Sequence, residues 1–230
     1  MTIKKIIAIA SAKGGVGKSS ITAMSALSLA DTYKVGILDA DIYGPNQHLL
    51  FGFEDHKHEI VETPSQKLLK PLIVNNIKIA SMGPILNNNK AAIWRGPMLS
   101  NAIKQLIHKT EWGELDILFV DMPPGTGDAY ITIANELNID GVIFISTNNK
   151  LSIHDTIKSI NTCKKLKLPI IGAIQNSTYP HNNDEKLVLS HQIQQITSID
   201  FNEKIYNMNF NNTFLESLNL KEIYENIIHG

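Results

Sequence analysis

Apolar residues in this chain fall in short unbroken runs. Ile6 to Ala10, Val35 to Leu38, Ile117 to Val120, Val142 to Ile145 and Ile170 to Ile174 are each followed by a turn signal and then by helical spacing. A short run without polar alternation has the form of a strand buried on both faces of a parallel sheet. Helices are predicted over Lys18 to Ala30, Met98 to His108, Asp128 to Leu137, Ser152 to Leu166 and Asp184 to Gln195. Strands alternating with helices imply right-handed crossovers. The expected fold is therefore α/β, a doubly wound, mostly parallel sheet with helices on both faces.

Two stretches break this rhythm. Residues 53 to 70, rich in histidine, carboxylate and lysine, read as a polar surface excursion ahead of a strand pair near Leu72 to Met82. From Asn182 onward the chain is rich in Asn, Gln, Lys and Ile, and its elements are weakly marked.

Composition narrows the picture. The 230 residues, 43% hydrophobic, suffice for one sizeable core, so a single domain over 1–230 is expected. Twenty-one basic against 22 acidic residues leave a formal charge of -1, so no global field favours nucleic acid or anionic lipid. Neither a nucleic-acid nor a membrane partner is expected. The single cysteine, Cys163, excludes an internal disulfide and fits a reducing cytoplasm. The apolar run ending by Ala10 is too brief for a signal-peptide core or a membrane span. Arg95 is the only arginine, so a task needing cationic charge falls on it or on a lysine.

The chemistry starts where the first predicted strand ends. Ser11-Ala12-Lys13-Gly14-Gly15-Val16-Gly17-Lys18-Ser19-Ser20 joins a strand to a helix, the context of a phosphate-binding loop. Glycines at 14, 15 and 17 let backbone N–H groups turn inward around phosphate oxygens, and the helix presents its positive end to the same anion. Lys18 would reach the outer phosphates, and the Ser19 hydroxyl would meet magnesium. Ala12 stands where the usual motif opens with glycine. Residues Ala12 through Ser20 are the candidate ATP contacts. With arginine so scarce, Lys13 is the natural stabiliser of transition-state charge.

Carboxylates follow at two later strand ends. Val35 to Leu38 leads into Asp39-Ala40-Asp41, and Leu115 to Val120 into Asp121, on the edge where open α/β sheets bind ligands. Asp41 is expected to orient the attacking water and join the magnesium shell. Asp121 is the second carboxylate near the metal.

Together these segments resemble the Mrp/ApbC family of iron-sulfur cluster carrier ATPases, relatives of MinD and ParA in the deviant Walker A group. The resemblance rests on Lys13 to Ser20, Val35 to Pro45, Trp94 to Met98 and Trp112 to Asp128, and more weakly on Leu168 to Asn176. It implies an ATP-hydrolysing homodimer that sandwiches nucleotide near its interface, with Lys13 reaching the partner's nucleotide and Asn176 beside the adenine. It also implies a bridging 4Fe-4S cluster and iron-sulfur client proteins. The family's Cys-x-x-Cys pair is absent, however; after Asn176 the sequence reads Ser177-Thr178-Tyr179-Pro180-His181-Asn182-Asn183. Thiolates are the normal ligands of such clusters, which leaves cluster carriage without its usual ligands.

The leading expectation is an Mrp-like ATPase of iron-sulfur cluster assembly. The alternative is a MinD- or ParA-like positioning or partitioning ATPase, a nucleotide-gated binding module. Other features read as structural. Glu54, Asp55, His56, His58 and Glu59 form a solvated loop, Trp94 and Arg95 precede a helix start at Gly96-Pro97, and Cys163 is an ordinary helix residue. The apolar side of Leu218 to Ile228, whose polar positions are mainly acidic, is expected to dock on the protein's own body.

Overall fold

A computed structural model describes residues 2–54, 56–62, 67–84, 96–147, 149–178, 193–207 and 210–230. Strands are β1 (Thr2–Ala10), β2 (Val35–Asp39), β3 (Ile60–Glu62), β4 (Lys67–Leu69), β5 (Leu72–Val74), β6 (Ile77–Ser81), β7 (Glu114–Asp121), β8 (Gly141–Ser146), β9 (Ile170–Asn176) and β10 (Gln195–Ile199). Helices are α1 (Lys18–Leu29), α2 (Gln47–Leu50), α3 (Gly96–Lys109), α4 (Asp128–Glu136), α5 (Lys150–Lys165), α6 (Glu203–Tyr206), α7 (Asn212–Ser217) and α8 (Leu220–His229).

Eight strands form one sheet in the order β10-β9-β8-β1-β7-β2-β6-β5, and β3 pairs with β4 in a separate ribbon. Every pairing in the large sheet is parallel except that of β5 with β6. Period-two alternation sends successive side chains to opposite faces. Ile6, Ala8 and Ala10 accordingly join Leu118, Val120 and Phe144 in a core with residues of α3, α4 and α5. Ile7 and Ile9 join Ile37, Phe119 and Ile143 in a second core with α1, α7 and α8. Both faces are covered, as unbroken apolar strands require.

The predicted strands and the first four predicted helices are present within a few residues of their expected bounds. Two corrections concern the weakly patterned stretches. The helix expected over Asp184 to Gln195 falls mostly outside the described residues, and its last residue, Gln195, opens β10. This edge strand is only half-buried, so it never acquired an apolar run. The excursion over 53–70 contains the β3–β4 ribbon, and His58 is not simply solvated. Its ring nitrogens lie 3.0 Å from the Lys70 carbonyl and 2.9 Å from the Ser81 carbonyl, pinning the ribbon to the end of β6. Asp55, Trp94 and Arg95 lie outside the described residues, whereas Gly96 does open α3.

The C-terminal helix docks on the body of the protein. Tyr224 of α8 is fully buried, meets Phe119 edge-on at 4.9 Å, and accepts a hydrogen bond from Ser25 of α1 at 2.9 Å. Leu220 is also fully buried, and Ile223, Ile227 and Ile228 pack around them. No described helix is long and apolar enough to cross a membrane.

Candidate functional site

Parallel pairing places the C-terminal ends of β1, β2 and β7 side by side. In register, Ile9 lies beside Asp121, and Asp121 beside Asp39. Residues 11–17 therefore leave the sheet directly above two acidic strand ends. Ser11 shapes the exit, its hydroxyl donating to the Lys13 carbonyl at 2.9 Å while its own carbonyl accepts from the Gly125 N–H at 3.0 Å.

The loop closes onto α1 at Gly17, which has φ +86° in the left-handed region that side-chain-bearing residues avoid. A Cβ at Gly14 or Gly15 would meet no protein atom within 4 Å, so the backbone there faces open space rather than packed structure. That exposed arc is a cradle for an anion beside a helix N-terminus. It borders a cavity of about 360 Å³ that Lys13, Lys18, Ser19 and Ser20 also line, with Asp41, Gly44 and Leu49 opposite.

Below the cradle sits a buried polar cluster. The Lys18 ammonium forms an ion pair with Asp121 Oδ1, the two side chains being 6% and 0% exposed. Asp121 Oδ2 accepts from Gln47 Nε2 at 2.7 Å, and that same amide donates to the Ser19 carbonyl at 3.0 Å. Asp39 Oδ2 accepts from the Gln47 N–H at 3.0 Å and from the Ser81 hydroxyl at 2.9 Å. Burial, followed by the adjacent Asp121 charge, pushes the Asp39 carboxyl well above the usual carboxylate range. Two buried carboxylates facing one ammonium leave an excess negative charge, which a proton or a bound cation would relieve. Asp39 Oδ1 and Gln47 Oε1 are buried without a hydrogen-bond partner among the described residues.

Asp41 stands higher, at the cavity rim, where its Oδ1 accepts from the Gly44 N–H at 3.2 Å. Burial raises its carboxyl above the ordinary value, against the opposing charge of Lys18. Ser19 and Asp41 offer hard oxygen donors in the mouth and Asp121 a third from the buried cluster below it, a set suited to magnesium, and the two orphaned acceptors of that cluster fit its bound waters.

The other expected residues fall around this centre. Lys13 is half-exposed at the mouth and paired with Asp155 of α5 at 3.0 Å. Ala12 is half-buried, and Val16 packs into the second core. Asn176 lies against the loop rather than in the cavity lining. Its Nδ2 donates to the Val16 carbonyl at 2.8 Å, and its Oδ1 is buried without a partner among the described residues. Cys163 is fully buried, 2.8 Å from the Tyr130 hydroxyl and away from the mouth. Asp39, Gln47 and Ser81 were not singled out in the sequence. Asp39 was findable, since it ends an apolar strand run as the first carboxylate of Asp39-Ala40-Asp41; nothing local marks Gln47 or Ser81.

Known proteins resemble this chain over most of its length. A family model of the ParA group, described as the NUBPL iron-transfer P-loop NTPase, matches residues 2–225. An iron-sulfur cluster carrier protein of Rickettsia conorii is 47% identical over 184 residues, 79% of this chain and 56% of the relative. The iron-sulfur cluster transfer protein NUBPL of Dictyostelium discoideum is 38% identical over 194 residues, 83% of this chain and 59% of its own. The chain thus spans little more than half the length of these relatives. Among solved structures, a nucleotide-binding protein of Archaeoglobus fulgidus in complex with ADP is 29% identical with a TM-score of 0.72, covering 96% of this chain and 89% of that one. The cell division ATPase MinD of Pyrococcus furiosus shares the fold at 20% identity, with a TM-score of 0.70, over 97% of this chain and 99% of its own.

Proposed function

Because the chain belongs to the NUBPL iron-transfer P-loop NTPase family, we propose that it binds ATP with magnesium and transfers the γ-phosphoryl group to water in the service of iron-sulfur cluster transfer. The observation that carries this reading is Lys18, a buried ammonium held by Asp121 directly beneath an open glycine cradle. A buried cation aimed at the edge of an anion cradle is matched to a polyphosphate.

Each residue has a task that its position supports. The backbone of residues 14–18 cradles the phosphates, and Lys18 exchanges its Asp121 partner for phosphate oxygens. Ser19, Asp41 and Asp121 hold magnesium, directly or through water, and the bound ion supplies neutralisation of phosphate charge. Asp41, at the rim with its carboxyl partly committed to Gly44, orients the attacking water. Lys13, half-exposed and held by a partly exposed ion pair with Asp155, can swing onto charge developing at the phosphate, its own or that of a second copy. Exposed Tyr43, Leu49 and Leu151 lie on elements around the same mouth and support a homodimer that closes across it.

The iron-sulfur part of the reading follows from family membership and the named relatives. Cys163, the single cysteine of these 230 residues, is buried beneath Tyr130 and is not its ligand, so the thiolates of a cluster would have to come from outside these residues. A MinD-like lipid tail is disfavoured, because α8 has its apolar side against α1 and β7.

Steady-state phosphate release tests the hydrolytic part. Asp41→Ala should lower kcat about 100-fold or more while ATP still binds; unchanged kcat would remove Asp41 from the mechanism. For the iron part, anaerobic iron-sulfide reconstitution should leave the same iron content in Cys163→Ser as in the wild type. Loss of iron in that variant would make Cys163 a ligand after all.

A further inference from the structure

Gln47 opens α2, eight residues after Asp39 ends β2, and it is fully buried. A buried carboxamide is costly unless its polar atoms are bonded. Nε2 uses both its hydrogens, on the Ser19 carbonyl and on Asp121 Oδ2, while the backbone N–H of the same residue holds Asp39 Oδ2. The Ser19 carbonyl accepts only, and so does Asp121 as the carboxylate paired with Lys18. The orientation of the amide is therefore set by chemistry, with nitrogen toward them and Oε1 turned away. That oxygen is buried without a partner among the described residues, as is Asp39 Oδ1. Two neighbouring acceptors beneath Ser19 and Asp121 call for donors, and waters carried by a divalent cation at those residues would supply them.

We propose that Gln47 is the positioning residue of the cation site, fixing the second oxygen of Asp121 while offering Oε1 to a cation-bound water. This deepens the magnesium-nucleotide reading above and rests on it. Gln47 directly follows residues 41–46, which carry Asp41 and line the mouth at Gly44 and Asn46. Occupancy of the cation site is thereby tied to the placement of the segment that orients the attacking water.

The test compares the affinity of a fluorescent, non-hydrolysable ATP analogue in magnesium and in EDTA, for the wild type, Gln47→Met and Gln47→Asn, with a melting curve for each. Met keeps the length of the side chain without its polar atoms; Asn keeps the amide but is too short to hold both acceptors. Each variant should bind the analogue in EDTA as the wild type does and lose about tenfold or more of the tightening that magnesium gives, the size of effect typical of residues that orient metal ligands. An undiminished magnesium effect in a folded variant, or equal weakening with and without magnesium, overturns the proposal. So does failure of both variants to fold, which would make the amide structural. A wild type that binds no analogue would sink the nucleotide reading itself, a result distinct from failure at Gln47 alone.

Discussion

Asn176 lies directly over Gly17. Its Nδ2 donates to the neighbouring Val16 carbonyl at 2.8 Å and fills the space that any side chain at position 17 would need. The end of β9 thus clamps the phosphate loop from the side opposite Asp121.

Gly17→Ala should be harmful for two reasons, the φ of +86° and the collision with Asn176. The left-handed conformation alone costs about 1–2 kcal/mol for an L residue. The variant should lose at least that much stability in urea and bind ATP more weakly. A variant with both properties intact would contradict the geometry.

Lys13 differs from Lys18 in being outside the buried cluster, and its substitution should separate catalysis from binding. Lys13→Ala is expected to lower the rate of hydrolysis about 1,000-fold, the scale of a removed transition-state cation. ATP affinity should change far less. Parallel titrations and turnover assays make the comparison, and a loss confined to affinity would reassign the residue to ground-state binding.

Tyr224 measures how firmly α8 is docked. Tyr224→Phe removes the bond from Ser25 and should cost about 1 kcal/mol, whereas Tyr224→Ala empties a site against Phe119 and should cost about 3–5 kcal/mol. Denaturant titration distinguishes them. A negligible effect of the alanine variant would mean that the helix is not part of the cooperative unit.

Asp116 joins the opposite end of the sheet. It accepts from Lys4 Nζ at 2.7 Å and from the Lys34 N–H at 2.8 Å, and the hydrogen bond from Lys4 leads in holding its carboxyl below the ordinary value. A depressed carboxyl adds stability above its unfolded pKa and loses it as pH falls through the folded one. Asp116→Asn should therefore melt below the wild type at pH 7, with the gap narrowing once pH drops below about 4. A gap constant across that range would mean that the contribution is not electrostatic.

How much of this was legible in the sequence depends on how local each signal is. β1, the loop and α1 are contiguous, and apolar run, glycines and helix formers each announce themselves. β10 was missed because Gln195-Ile196-Thr197-Ser198-Ile199 forms an edge of the sheet, where only part of the strand is covered and no apolar run is demanded. The β3–β4 ribbon hid for the same reason, being three-residue strands outside the main sheet. The cluster of Asp39, Asp121, Lys18 and Gln47 arises from the register of β2 on β7 and from a buried amide on the short helix α2. Asp121 and Lys18 carried recognisable motifs; Gln47 looks like any polar residue in a turn, and only its burial reveals it.

The central claim is that this mouth converts ATP to ADP. A single-turnover experiment, with protein in excess over labelled ATP and magnesium present, tests it without regard to slow product release. Stoichiometric ADP and phosphate from the wild type, none from Lys18→Ala, and none from the wild type in EDTA are the expected results. Bound ATP recovered intact from the magnesium-containing wild type would show a nucleotide-binding scaffold and contradict the account.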